Sequence, residues 1–374
     1  MANKNLTSAK RAKNDEFYTQ YADIQKEIAA YLEYDYDVFR GKVVYCNCDD
    51  PFESNFFRYF VLNFKKLGLR QLITTSYKPS PIAYTQLELF ERDETPSVSK
   101  GRPKITANKF IINTVHDIDG DGEFNLEDVA KQLKARKQNE WMPLKGDGDF
   151  RSPECIDLLK QADIVVTNPP FSLFREYVRQ LVGYNKKFVI IGNMNAITYK
   201  EVFPQIKNNQ LWLGNGFHAG NAYFFTPNTR DFASGVFDAK TGLVKFRNVC
   251  WYTNLDHGRR HQPLPLMTMA ENLKYSKHKE IKGKKAYEKY DNYDAIEVPF
   301  TDAIPSDYDG VMGVPISFLD KYCPEQFEIL GATESEGRGF SNGLWDESSK
   351  VSQPLVKGQR VYKRIFIKHK RETI

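Results

Sequence analysis

The chain has 374 residues, 41% of them hydrophobic and 27% charged, with a formal net charge of +5, enough apolar material for one large core or two smaller ones. No stretch approaches the roughly 20 apolar residues of a membrane helix, and the polar, basic amino terminus lacks the apolar segment of a secretory leader, so a cytoplasmic protein with no membrane partner is expected. The five cysteines are odd in number and spread over a long chain, which argues against a disulfide framework, and Cys46 and Cys48 have no second pair and no nearby histidine to make a zinc site.

Residues 1–13 carry Lys4, Lys10, Arg11 and Lys13 among small polar residues, either a solvated tail or a segment that lies on phosphate. The run Asn14-Asp15-Glu16-Phe17-Tyr18-Thr19-Gln20 then leads into an amphipathic helix predicted over 21–34, for which Phe17 and Tyr18 can serve as a hydrophobic staple. The first clear strand, 42–48, stops at Asp49-Asp50-Pro51. A helix predicted over 53–67 buries Phe56, Phe57, Phe60 and Phe64 and ends at Gly68, and the second strand is 72–76. This β-α-β order predicts a parallel sheet. Residues 77–104, interrupted by four prolines, read as a surface excursion before a strand at 110–113.

Residues 117–128 match the calcium-loop template at Asp117, Asp119, Asp121, Gly122 and Asp128. The match is incomplete, because the shorter Asp128 stands where a glutamate is usual and no good helix precedes the loop. A metal-free acidic turn capping a helix over 126–136 is the competing reading. Further on, Gly146-Asp147-Gly148-Asp149-Phe150-Arg151 precedes Ser152-Pro153-Glu154, a helix start with Ser as cap and Pro in the first turn.

The stretch around which the rest is organised is Ile164-Val165-Val166-Thr167-Asn168-Pro169-Pro170-Phe171. Its apolar run has no polar face, as in a central strand covered on both sides. Pro169 and Pro170 lack N–H donors and have fixed φ, so the strand ends there in a stiff turn, with Asn168 held extended. Ser172 is the expected N-cap of a following helix whose apolar face holds Phe174, Tyr177, Val178, Leu181 and Val182. This order puts Asn168 at the carboxyl end of a strand, where open α/β sheets bind ligands. The Asn168 side-chain oxygen and the Pro169 carbonyl are two acceptors and Phe171 is a flat face, a combination suited to an exocyclic amino group on a stacked ring.

A strand over 188–193 and a helix over 198–207 follow, then strands at 211–213, 222–225 and 249–252. Beyond His257 the chain turns basic. Lys274, Lys277, Lys282, Lys284 and Lys285 are interleaved with Tyr275, Tyr287, Tyr290 and Tyr293, which suits either phosphate contact with base stacking or a solvated charged face.

The Asn168-Pro169-Pro170-Phe171 turn resembles the catalytic motif of amino-methyltransferases. The Cys48-Asp49-Asp50-Pro51 run and the segments 313–331 and 362–368 are similar to those of the EcoRI-type adenine-specific DNA methyltransferase family, so the resemblance spans nearly the whole chain. It implies an α/β fold, a Rossmann-like S-adenosylmethionine-dependent methyltransferase sheet, with a catalytic domain over 1–257 and a target-recognition region over 258–374. Asn168, Pro169, Pro170 and Phe171 would be catalytic, and Phe17, Tyr18, Thr19, Asp49, Asp50, Pro51, Asp149 and Phe150 would hold S-adenosylmethionine. The usual glycine-rich cofactor loop is absent here, so Asp49 and Asp50 rest on the resemblance alone. It further implies an enzyme that flips adenine out of duplex DNA, with GAATTC as the leading candidate site, and either a restriction endonuclease acting on the same sequence as a partner or none, as for an orphan methylase; a monomer is expected. The alternatives are transfer to cytosine N4, RNA or a protein glutamine, or a noncatalytic DNA-binding protein on the same fold.

Overall fold

The computed structural model describes residues 17–48, 54–76, 107–118, 120, 124–135, 138–217, 221–225, 235–333, 340–341, 343–346, 348–349 and 351–370. The chain divides into two compact units, one made of 1–193 with 220–255 and the other of 194–219 with 256–374.

The first unit contains β1 (Tyr18–Thr19), β2 (Val43–Cys46), β3 (Gln71–Thr75), β4 (Asn108–Ile112), β5 (Glu140–Pro143), β6 (Ile164–Thr167), β7 (Lys187–Asn193) and later strands. Its main sheet runs in the order β5-β4-β3-β2-β6-β7 and then Val249–Thr253. The central strands β3, β2, β6 and β7 are parallel, whereas β4, β5 and Val249–Thr253 are antiparallel additions at the flanks. Both β2 and β6 are buried at every position, as their unbroken apolar runs require of strands covered on both faces.

The helices follow their apolar spacing, with local deviations. Tyr21–Tyr34 buries Ile24, Ile28 and Tyr31 along one stripe. The helix predicted over 53–67 is two, Asn55–Leu62 and Phe64–Leu67. The Asn63 side chain turns back to the Tyr59 carbonyl at 2.8 Å, the competition with the helix ladder for which Asn is known. Pro153–Gln161 begins as expected, with Ser152 accepting from the Cys155 N–H.

Ser172 is not an N-cap. Residues Phe171–Leu173 form a 3-10 turn, and the helix Phe174–Gly183 starts after Leu173 without a side-chain cap. Packing fixes this start instead. A Cβ on Gly192 of β7 would lie 2.5 Å from the Phe174 ring and 3.0 Å from the Tyr252 ring, so the missing side chain is the space into which Phe174 fits. The helix is thereby seated directly on the strand next to the Asn168 turn.

A second, antiparallel sheet in this unit joins β1 to Asn221–Phe225, Leu243–Arg247 and Phe237–Asp238. Leu243–Arg247 and Phe237–Asp238 were not anticipated from sequence, since each is short and only weakly alternating.

The second unit has a four-stranded sheet in the order Ile296–Glu297, Met312–Pro315, Arg364–His369 and Phe327–Ala332. The two carboxyl-terminal segments singled out by resemblance are therefore neighbours in one sheet. Glu297 receives the buried Arg364 guanidinium at 2.5 Å and also the Tyr290 hydroxyl. Among the described residues no helix is long and apolar enough to cross a membrane.

Candidate active site

The order of the central strands reverses direction at β2. The chain runs outward to β3 on one side and to β6 and β7 on the other, and such a switch point opens a crevice at the carboxyl ends of the two inner strands. Those ends are Asn47 and Asn168.

A row of buried polar groups ties the strand ends together. The Thr75 and Tyr45 hydroxyls are 3.0 Å apart, the Asn47 amide donates to the Tyr45 hydroxyl at 2.7 Å, and the Thr167 hydroxyl donates to the Asn47 carbonyl. Burial pushes the Tyr45 phenol well above its ordinary pKa, so the row stays uncharged. Tyr45, Asn47, Thr75 and Thr167 were not picked out from sequence. The only signal for them is that polar residues close three otherwise apolar strands.

The amino-terminal segment closes over this crevice. The Asn168 amide nitrogen donates to the Phe17 carbonyl at 2.7 Å, and Asn55 donates to the Thr19 carbonyl at 2.8 Å. Two side-chain oxygens here are buried without a hydrogen-bond partner among the described residues, Asn168 Oδ1 and Thr19 Oγ1. A buried polar atom left unpaired costs roughly 1–3 kcal/mol, and unpaired atoms of this kind are a mark of sites that a ligand completes. Aromatic rings line the same place. Phe171 is half-buried, 6.4 Å from Phe17 and 5.9 Å from Phe246, edge-on to the latter, and Phe246 also packs on Phe17 at 4.4 Å and Phe224 at 5.7 Å. Sequence reading identified Phe17 and Phe171 but missed Phe224 and Phe246, which arrive from the small sheet.

The loop 146–150 reaches the end of β3. Gly148 has φ +79°, and a Cβ there would lie 2.0 Å from the Ser76 carbonyl oxygen, so only glycine permits this approach. The next residue, Asp149, is gripped by Arg151, which donates side-chain bonds at 2.6 and 2.9 Å and a backbone bond at 2.8 Å. Burial works against the charge on Asp149, but the Arg151 bonds outweigh it and hold the carboxyl below its ordinary pKa. Arg151 is itself held by Glu176 at 2.8 Å. Phe150 is only 3% exposed, packs against Tyr177 in a T-shaped contact at 4.9 Å and has the Arg151 guanidinium over its ring at 5.3 Å. Asp49, Asp50 and Pro51 lie outside the described residues.

The acidic segment has a structural use for one of its carboxylates. Asp128 is buried and accepts from the Ile118 and Asn125 N–H groups at 2.8 and 3.0 Å, closing the loop onto the helix Leu126–Ala135. Asp117 accepts from the Gly120 N–H at 2.7 Å, and Asp119 and Asp121 lie outside the described residues. Among the described residues no three His, Cys, Asp or Glu side chains gather as a metal site would need.

In the second unit Lys274, Lys277, Lys282, Lys284 and Lys285 are all exposed. Lys277 pairs with Asp302 at 2.7 Å and Lys274 lies 4.9 Å from the Tyr275 ring centre. The side chains of Lys282, Lys284 and Lys285 have no hydrogen-bond or ion-pair partner among the described residues. The interleaved tyrosines are divided differently from the expectation of a stacking surface. Tyr290 and Tyr293 belong to a hydrophobic cluster with Trp345 and Phe366, and the Tyr287 hydroxyl is bound to the Ala303 carbonyl. The Tyr290 and Tyr293 rings are thus buried and Tyr287 is half-buried, which leaves Tyr275, 60% exposed, as the open one.

Residues 5–370 match the family described as adenine-specific methyltransferase EcoRI. The chain is 42% identical over 372 residues to the Type II methyltransferase M.EcoRI of Escherichia coli, covering 99% of this chain and 97% of that one. It is 34% identical to M.MpnI of Mycoplasma pneumoniae, covering 98% of each, and 33% identical to M.MgeORF184P of Mycoplasma genitalium, covering 96% of this chain and 97% of the relative, both also Type II methyltransferases. No solved structure matches the chain. With a family match that runs almost from end to end and relatives of equal length, the chain belongs to the adenine-specific methyltransferase EcoRI family.

Proposed function

We propose that the protein is a site-specific DNA methyltransferase that transfers a methyl group from S-adenosylmethionine to adenine N6, using a Rossmann-like sheet in the first unit and binding duplex DNA through the second. The observation that carries this reading is the amide of Asn168. Its nitrogen is spent on the Phe17 carbonyl while its oxygen is buried and unpaired at the strand switch point. An amino group brought to that oxygen completes its hydrogen bonding.

Adenine N6 is a poor nucleophile because its lone pair is delocalised into the ring. Asn168 Oδ1 and the Pro169 carbonyl would accept its two hydrogens, favouring a pyramidal nitrogen with its lone pair directed out of the ring plane. Phe171 would stack the base, and the fixed prolines keep both acceptors from drifting. A target inside a duplex is out of reach of such a pocket, so the adenine must be flipped out of the helix. S-adenosylmethionine supplies the electrophilic methyl group when bound. Phe17, Tyr18 and Thr19 would border its methionine part, Asp149 and Phe150 its adenine, and Asp49, Asp50 and Pro51 complete the set by resemblance. The charged Asp149 at the end of β3 and the unpaired Thr19 hydroxyl fit a ligand rich in donors. Holding the two reactants in line accounts for much of the remaining rate.

The test is product analysis. Purified protein is incubated with duplex DNA and S-adenosylmethionine, the DNA is digested to nucleosides, and mass spectrometry should find N6-methyladenine. N4-methylcytosine in its place, or no methylated nucleoside, overturns the proposal.

A further inference from the structure

We infer that the hairpin around Lys357 is the sequence-reading element of the second unit, and that Arg360 reads a guanine in the major groove of the bound duplex. The inference rests on the DNA-methyltransferase reading above and names a residue that decides its specificity.

The hairpin pairs Leu355 with Arg360 and Val356 with Gln359. Its two-residue turn has φ +53° at Lys357 and +75° at Gly358, the left-handed pair typical of a tight type I′ hairpin. It is clamped from below. The Asp291 carboxylate accepts from the Lys357 and Gly358 N–H groups at 3.2 and 2.7 Å, and Asn292 Oδ1 accepts from the Leu355 N–H at 2.9 Å. Asn292 is itself buried, with its amide nitrogen on the Val351 and Gln353 carbonyls at 2.7 and 2.8 Å. The ribbon is therefore held before any ligand arrives, which lowers the ordering cost of binding.

Pairing sets which side chains share a face. Cross-strand partners share a face and adjacent residues point to opposite faces. Val356 packs on the Tyr290, Tyr293, Trp345 and Phe366 cluster, so Gln359 shares the face of Val356 and Arg360 the opposite one, and both Gln359 and Arg360 are exposed. The Arg360 side chain is exposed and has no hydrogen-bond or ion-pair partner among the described residues. A cleft of about 350 Å³ is lined on one side by Leu273, Ile281 and Tyr287 and on the other by Gln359, Arg360 and Val361. Its carboxylates are Glu280, Glu288, which pairs with Lys357, and Glu297, which pairs with Arg364, and the rim beyond Ile281 is the loop with the unpaired side chains of Lys282, Lys284 and Lys285. A loop of free cations beside a rigid ribbon matches the charge of a phosphate backbone flanking a groove. The major groove admits a two-stranded ribbon, and a guanidinium bidentate to guanine O6 and N7 is the commonest base-specific contact made there.

The experiment uses the full-length enzyme on its cognate duplex and on duplexes in which each guanine in turn is 7-deazaguanine, which lacks the N7 acceptor. Wild type should lose roughly 10- to 150-fold in kcat/KM at one guanine, the range expected for one hydrogen bond to a charged group. Arg360→Ala should be slower on the normal site and insensitive to deaza substitution at that guanine, while Gln359→Ala keeps the wild-type sensitivity. Arg360→Lys keeps the charge, so its salt dependence should stay as in wild type.

An Arg360→Ala variant as sensitive to the deaza substitution as wild type overturns the inference. So does an Arg360→Ala variant that loses affinity equally on all sequences with a flatter salt dependence, the sign of a phosphate contact. If wild type methylates DNA site-specifically in these same assays, either result counts against Arg360 alone. A wild type that methylates no duplex overturns the functional reading and the inference with it.

Discussion

The Asn168 amide nitrogen donates to the Phe17 carbonyl at 2.7 Å, and that single bond orients the amide oxygen. A carbonyl can only accept, so the nitrogen must face Phe17 and the oxygen must face away from it. The amino-terminal segment is therefore part of the site although it is 151 residues distant in sequence.

Replacing Asn168 by Ala should lower methyl transfer by at least about 100-fold, comparable to the loss of one group that stabilises a transition state electrostatically. The same change strands the Phe17 carbonyl, at a stability cost of roughly 1–3 kcal/mol. Thermal unfolding and cofactor binding, measured alongside turnover, separate the two effects. A folded variant with near-normal turnover contradicts the role given to Asn168.

Asp149→Ala should weaken S-adenosylmethionine binding by roughly 10-fold or more, as expected when a hydrogen bond to a charged group is lost. Gly148→Ala should do the same from a distance, because its methyl group would collide with the Ser76 carbonyl and push the loop off β3. Titration calorimetry on both variants is the check. Unchanged affinity in either would mean that this loop does not border the cofactor.

The sequence made legible what depends on local pattern. The apolar runs of β2, β6 and β7, the helix Tyr21–Tyr34 and the stop at Pro169 all follow from residue spacing and proline chemistry. What depends on distant partners was not legible. Ser172 looks like a cap, but the fit of Phe174 over Gly192 decides where that helix starts. Tyr290 and Tyr293 look like stacking residues between lysines, yet the strand Arg364–His369 supplies Phe366 to bury them. Phe246 joins the site only because Leu243–Arg247 reaches β1 through an intervening strand.

If Lys282, Lys284 and Lys285 lie on phosphates, replacing all three with Gln releases three fewer counterions. The slope of log affinity against log salt should then flatten by about 2.7, from about 0.9 per phosphate contact. The effect should be alike on cognate and unrelated duplexes, since phosphate contacts do not read sequence. Fluorescence titration across salt concentrations measures it, and an unaltered slope returns the loop to a solvated surface.

Glu297→Ala leaves the Arg364 guanidinium buried without its partner, and this should destabilise the second unit by about 3–5 kcal/mol. The paired change Glu297→Leu with Arg364→Met removes both charges and should recover most of that loss. Denaturant unfolding of the three proteins distinguishes a paired buried charge from a dispensable one, for which all three would be equally stable.

The most direct measurement is modification-sensitive sequencing of DNA from cells that express the protein, with Asn168→Ala as the companion. N6-methyladenine is expected at one recurring sequence with the wild type and unmodified adenine there with the variant. Modified cytosine, methyladenine without a sequence preference, or an undiminished pattern with Asn168→Ala would contradict the proposed function.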